Sequence, residues 1–388
     1  MATGASTSRM QLSYVKESTF GTLETGSNLQ ILRHTSESLR QESDSQVSAE
    51  IRSDRQAADV VRTRLRALGD VNVELNYGDY DDLFAAALMD DAWSSVVTVG
   101  PATTLSTSDT DNSFNDSDSG FGSIEANQWI HVAGFTTAAN NGYFKVVSAT
   151  AAKLIVSGGT LATEVAGDSV TIKMGAEIVN GTTLASYNIE KKFADLTNVY
   201  AILTGMCIDQ LSLNIAADAI ITGSFGFIGK DSQSAAASSG NGYDAVGTND
   251  VMSAVDNLTA VLENDAAYDM TAVSLNLRNN LRERIEAGTL GTLELGVGML
   301  NISGTLQAYF ATSTVMDKFL DFTSSSISVV VEDADGNGYV IDLPKVKYTS
   351  GQRVAGGQNQ DIIADMAFEA YREPTEGVTI RIARFPAA

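Results

Sequence analysis

Strict two-residue alternation of apolar and polar side chains recurs along this 388-residue chain and constrains its fold more than any other feature. An extended strand turns successive side chains to opposite faces, so a period of two describes a half-buried strand and does not suit a helix. Val71, Val73, Leu75 and Tyr77 alternate with Asn72, Glu74 and Asn76, and Leu211, Leu213 and Ile215 repeat the pattern. Ile302, Gly304, Leu306, Ala308 and Phe310 follow it, then Tyr339, Ile341 and Leu343, and finally Val378, Ile380 and Ile382. Both halves of the chain contribute, and the expected fold class is mainly β.

Helical periodicity is confined to short stretches. From Asp79 to Trp93, Tyr80, Phe84 and Leu88 stand four apart beside Leu83 and Ala87, and Asp79, Asp81 and Asp82 complement the positive end of the helix dipole. A shorter helix is expected over Val315 to Phe322. The segment Val251 to Glu263 is open: Val251, Val255, Leu258 and Leu262 fit a helix, whereas Asn257 to Leu262 also reads as a strand.

The length exceeds the roughly 250 to 300 residues at which a single core stops growing, so two domains are expected. Beyond Trp93 the run Asp109 to Gly120 is mostly Asp, Ser, Asn and Gly, a composition expected neither to pack a core nor to continue a ladder. Short strands are expected at Trp129 to Val132, Tyr143 to Val147, Lys153 to Val156 and Val170 to Met174, with an Asn141-Gly142 tight hairpin turn before the second. These define a small inserted β domain at 96–175, which splits the larger domain into 1–95 and 176–388. The Gly/Ser/Ala-rich stretch Ser232 to Thr248 reads as a flexible surface loop.

Composition narrows the function classes. Hydrophobic residues make up 44% and charged residues 19%, which is enough apolar surface for folding to outweigh chain entropy. The net charge of −23 repels a phosphate backbone and argues against sequence-specific nucleic-acid binding. Cys207 is the single cysteine, so an intrachain disulfide and a cysteine-based zinc site are excluded, which fits a reducing cytosol. Met1 to Gln11 lacks the basic and apolar regions of a signal peptide, and no run of ~18 apolar residues suggests a membrane span.

The inventory for catalysis is thin. The two histidines, His34 and His131, lack a Gly-x-Ser-x-Gly elbow to join. Asp333 to Gly338 starts like a calcium loop, but Pro344 stands where a bidentate Glu belongs, so a hairpin turn is the better reading. Asp109, Asp111, Asp116 and Asp118 read as a solvated acidic loop, and Gly288, Gly291, Gly296 and Gly298 match no phosphate or dinucleotide motif. No catalytic, cofactor-binding or metal residue is assigned. Arg33 to Arg66 differs, with seven arginines, six acids and no lysine. Arginine's planar fork suits carboxylate pairing at interfaces, so this segment reads as a contact with an acidic partner.

At these residues the chain resembles the tail tube proteins of long-tailed, siphovirus-type bacteriophages. The resemblance is carried by Arg33-His34-Thr35-Ser36, Glu50 to Gln56, Gly69-Asp70-Val71 and Tyr77 to Leu83, then by Ser186 to Phe193, Gly205-Met206 and Gly223 to Lys230. Ser303-Gly304-Thr305, Asp335-Gly336-Asn337 and Leu343-Pro344 complete the ordered set. It implies a β-barrel or sandwich with a flanking helix, closed into hexameric rings that stack as the hollow tail tube through which the genome leaves the capsid. It further implies a long loop reaching the neighbouring ring, here Glu37 to Arg66, with Leu39, Arg40, Ile51, Arg52, Asp54 and Arg55 as its self-assembly residues. The implied partners are further copies of the chain, a tape measure protein, tail terminator and tail tip proteins, and genomic DNA in transient passage, without a membrane or cofactor. The implied location is the virion, after assembly in the host cytoplasm. The insert is larger than a minimal tube subunit needs and is expected on the tube's outer surface. The competing readings are another ring-forming tail or secretion-system component, a secreted adhesin or carbohydrate-binding β-protein, and a carboxylate-based glycosidase.

Overall fold

The alternating segments pair into a β-sandwich, seen in a computed structural model that describes residues 4–354 and 357–387. One sheet pairs, in order, Val60–Glu74, Thr222–Gly229, the second half of Tyr200–Ala216, Ala272–Arg278, Asn301–Tyr309, Ile363–Ala370 and the second half of Gly338–Val354. The facing sheet pairs Leu258–Glu263, Ser324–Glu332, the first half of Gly338–Val354, Arg381–Phe385 and Ala176–Val179. Between them Leu213, Ile215, Val273 and Leu275 of the first sheet face Ile327, Val329, Ile341 and Leu343 of the second around a narrow apolar cavity. The apolar residues that alternate in the sequence are thus the inward rows of a two-layer core.

A third set of strands, Gly242–Asp244, Asn28–Leu32, Met10–Lys16, Tyr187–Phe193, the first half of Tyr200–Ala216 and Asp231–Ala235, flanks the sandwich. The 17-residue strand Tyr200–Ala216 belongs to two sheets because it turns at Gly205, whose φ is 69°. A Cβ there would meet Lys230 Cβ at 2.9 Å and Phe20 at 3.1 Å, so only glycine fits the bend.

The expected first helix is shorter than its periodicity suggested, running Asp81–Leu88. Met89 takes the left-handed conformation (φ 56°), and Gly181 N and Thr183 N bond the carbonyls of Leu88 and Met89, which ends the helix. Trp93 then folds back, its indole N–H donating to Asp81 O at 3.1 Å. The second helix is Thr314–Leu320. Of the two readings for 251–263, the strand is found, from Leu258 on. Near the C-terminus the strand begins only at Arg381; Val378 and Ile380 are buried in the turn before it.

Residues from Val97 to Met174 form a separate seven-stranded antiparallel sheet with its own cluster around Phe114, Ile130, Phe144, Leu154 and Ile172. The four strands expected there are present, but three more, Val97–Ala102, Leu105–Ser108 and Ser113–Asp116, precede them. The polar run Asp109 to Gly120 therefore does continue a ladder and pack a core, since Phe114 anchors it and Asp116 accepts from Thr104, Asp118 N and Gly120 N. The expected tight turn is instead an eight-residue loop, 134–141, because Asn141 is extended (φ −108°) and its side chain bonds both the N–H and C=O of Phe135. Ser232 to Thr248 is also more ordered than its composition implied. Asp231–Ala235 pairs with Tyr200 to Thr204, and Glu190 accepts from Ser238, Ser239 and Tyr243.

The seven-stranded sheet covers the outer face of the second sheet. Trp129 and Tyr143 pack against Leu262, Val330, Val340, Ala383 and Phe385. Beneath them Lys145 Nζ reaches Asp342 at 3.0 Å and Glu376 at 3.8 Å, while Arg381 hydrogen-bonds Glu376 at 3.0 Å and forms an ion pair with Glu177 at 2.9 Å. Burial works against the Lys145 ammonium, yet Asp342 and Glu376 hold its pKa above the usual lysine value.

Candidate assembly surfaces

The strand Val60–Glu74 begins outside the sandwich and ends inside it. From Ala67 onward it pairs with Thr222–Gly229, but its first half has only Arg40–Val47 as a strand partner. Glu37 to Arg66 was expected to be a loop; it is a two-stranded arm closed by a tip at 48–59. Ser, Gln, Thr and charged residues predominate in both strands, and Val47, Val60, Val61 and Leu65 form no alternating period, so nothing apolar betrayed the pairing, which is reinforced by Arg66 to Glu42 at 3.0 Å. Two strands alone are marginal in water, and this ribbon exposes Val47, Val60 and Val61, with Ile51 99% exposed at the tip. In the tip Ser48 N donates to Asp59 O at 2.9 Å, and Arg55 adopts φ 61°. Arg52 pairs with Asp54 at 3.0 Å, and its hydrogen bond holds the Asp54 carboxyl below the usual range.

The structure divides the six residues singled out for self-assembly. Ile51, Arg52, Asp54 and Arg55 share the tip, and Arg40 is exposed where the arm leaves the body. Leu39 is in the sandwich core, where it roots the arm: Lys191 Nζ donates to Leu39 O and pairs with Glu37.

A second hairpin, Arg282–Arg284 with Glu294–Gly296, stands beside the arm. Leu65 N donates to Leu290 O at 2.9 Å, and Glu283 pairs with Arg64 and, at 3.7 Å, Arg66. It exposes Ile285, Leu290, Leu293 and Met299, the last at 76%. In the sequence its glycines were weighed only against phosphate and dinucleotide motifs, which they do not match; Arg282 and Arg284 flanking Glu283, a charge pattern like that of the arm, were the available signal.

The outer face of the first sheet is open. Register places Asn72, Ser224, Ser212, Asn276 and Ser303 in one cross-strand row and Glu74, Thr222, Asn214, Ser274 and Thr305 in the next. Ser274 and Thr305 share a hydroxyl hydrogen bond of 2.7 Å. Asp70, Glu74, Asp365 and Glu369 lie among these short polar side chains with Arg278 and Lys347, so acids outnumber bases. The sandwich thus has one face of short polar groups and one face covered by the seven-stranded sheet.

The groups weighed for chemistry have structural partners. His34 Nδ1 lies 3.2 Å from Leu32 O, and His131 stacks on Tyr143 at 4.5 Å with its pKa lowered by burial. Asp333 accepts from Asp335 N and Asn337 N, closing the turn between Ser324–Glu332 and Gly338–Val354. Asp111 bonds Lys153 at 2.6 Å, which brings its carboxyl down to about 2. Burial pushes the Cys207 thiol up, away from reactivity. Among the described residues no group of three or more His, Cys, Asp or Glu side chains is arranged to hold a metal ion, and no helix is long and apolar enough to cross a membrane.

No curated protein matches the chain. A family model described as phage tail tube protein matches residues 7–370, which includes the arm, the open sheet face, the second hairpin and the rooting strands. The chain is a member of the phage tail tube protein family.

Proposed function

We propose that this structural tail protein assembles with copies of itself into hexameric rings, stacked as a hollow tube that conducts the genome into the host. The observation that carries the reading is the arm, a two-stranded ribbon with apolar side chains in solvent and too little partner surface of its own. An unsatisfied strand pair is a liability in a monomer and an asset in a subunit completed by its neighbour. The open face of the first sheet lines the channel in this reading. Its short side chains leave the bore clear, and its excess of acids over bases gives passing phosphates little to bind. The domain at 96–175 then lies on the outside of the tube, since it covers the opposite face of the sandwich. Tape measure, terminator and tip proteins are the partners that set length and ends, assembly proceeds in the host cytoplasm, and no reaction is catalysed.

Electron microscopy of the purified protein tests this. Long hollow fibres with six-fold cross-sections are expected, with the 96–175 density outside. Single rings that never elongate would favour a terminator-like component, and density for 96–175 in the bore would overturn the assignment of faces.

A further inference from the structure

Resting on that reading, we propose that the arm of one subunit is received by an acidic rim at the opposite end of the sandwich of another copy. The strand Val60–Glu74 connects the two ends. Its first half is the arm; past its last residue, Leu75 N donates to Ile221 O at 2.8 Å, in the rim.

Backbone hydrogen bonds stitch the rim together: Ala254 N to Ala219 O, Ala217 N to Thr271 O, Thr271 N to Gln307 O and Phe310 N to Ile362 O, all 2.8 to 2.9 Å. Segments 216–222, 250–257, 268–272, 309–314 and 357–363 make up this edge and contain no lysine or arginine. They expose Asp218, Asp250, Asp256, Asp269 and Asp361, none of which enters an ion pair among the described residues. Arg33 and Arg353 stand at its margins, the first paired with Asp79 at 3.3 Å and the second stacked 5.1 Å from the Phe310 ring. The rim also exposes Ile220, Tyr309, Ile362 and, at 64%, Val255.

The arm, balanced in charge, exposes Arg40, Arg52, Arg55 and Arg62 beside Asp44, Glu50, Asp54 and Asp59, around Ile51, Val47, Val60 and Val61, so it offers the rim the arginines that the rim's own segments lack. Arginine and apolar groups at one end meet aspartate and apolar groups at the other, and the two surfaces differ. An interface between unlike surfaces is head-to-tail, and repeated along the strand direction it generates an open stack and not a closed dimer. At ~3.3 Å per residue, Val60 to Ala67 gives the ribbon a reach of roughly 25 Å beyond the body.

Charge exchange tests the pairing. Asp218→Arg with Asp256→Arg should lower tube yield about tenfold or more, as should Arg52→Glu with Arg55→Glu, and the four changes together should restore tubes. Circular dichroism and gel filtration check that each variant folds. As a second measurement, Ile51→Cys and Val255→Cys proteins, each with buried Cys207 unchanged, should crosslink through a short bismaleimide when mixed and not when either is alone. Rim variants that build normal tubes, or a mixture that fails to crosslink within tubes, would overturn the rim while leaving the tube reading intact. A wild-type chain that never leaves the monomer would overturn both.

Discussion

The arm and the seven-stranded sheet are both additions to one sandwich, and they handle apolar surface in opposite ways. The added sheet buries its own core and then buries Trp129 and Tyr143 against Phe385 and Leu262 of the sandwich. The arm leaves Ile51, Val47, Val60 and Val61 in water. One addition is completed by its own chain; for the other we propose completion by a second. Stability should therefore reside in the first and assembly in the second.

The largest expected effect tests the first half of that contrast. Phe385→Ala empties a fully buried aromatic site and should cost ~3–5 kcal/mol in urea unfolding. Loss below 1 kcal/mol would mean that the added sheet is only loosely attached. Lys145→Met should cost ~3 kcal/mol, because the fully buried Asp342 then keeps only Ser328 and the more distant Arg381, at 3.7 Å, as partners. Replacing 49–58 by Asn-Gly should change stability by no more than ~0.5 kcal/mol while abolishing fibres in the microscope. A drop of several kcal/mol would show that the tip supports its own subunit after all.

The smallest effect concerns pH. Burial lowers the His131 pKa, with Glu332 opposing and Lys173 adding. The unfolded chain takes up that proton near pH ~6.5 and the folded chain only at lower pH, so stability falls as pH drops through the window between the two values. Glu177 and Asp81, whose pKa values are raised by burial, act in the other direction because the folded state binds their protons more readily. His131→Asn should therefore lose less stability than wild type between pH 7.5 and 5.5, and equal slopes would remove His131 from the account. In the arm the Asp54 carboxyl is held below the usual carboxylate range and so titrates outside this window, and truncation of the arm should leave the slope alone.

The parts legible in the sequence are those where one strand face is buried and the other wet. Leu211, Leu213 and Ile215, or Tyr339, Ile341 and Leu343, face the core at the period they display. The Asp109 to Gly120 run misled because a single Phe114 outweighs its polar neighbours once Leu154 and Phe144 surround it. The arm was visible only as charge: its strands touch solvent on both sides, so neither face selects apolar residues. The second hairpin was missed for the same reason.

By itself the sequence determined the class of the fold, its tail tube family and the arginine-bearing segment, since alternation and charge are local properties of a chain. Only the tertiary structure decided which faces are open. Asp218, Asp250, Asp256, Asp269 and Asp361 are scattered over more than a hundred residues, and strand pairing alone brings them to one rim. The rim proposed to receive the arm is built by non-local hydrogen bonds, which no window along the chain can contain.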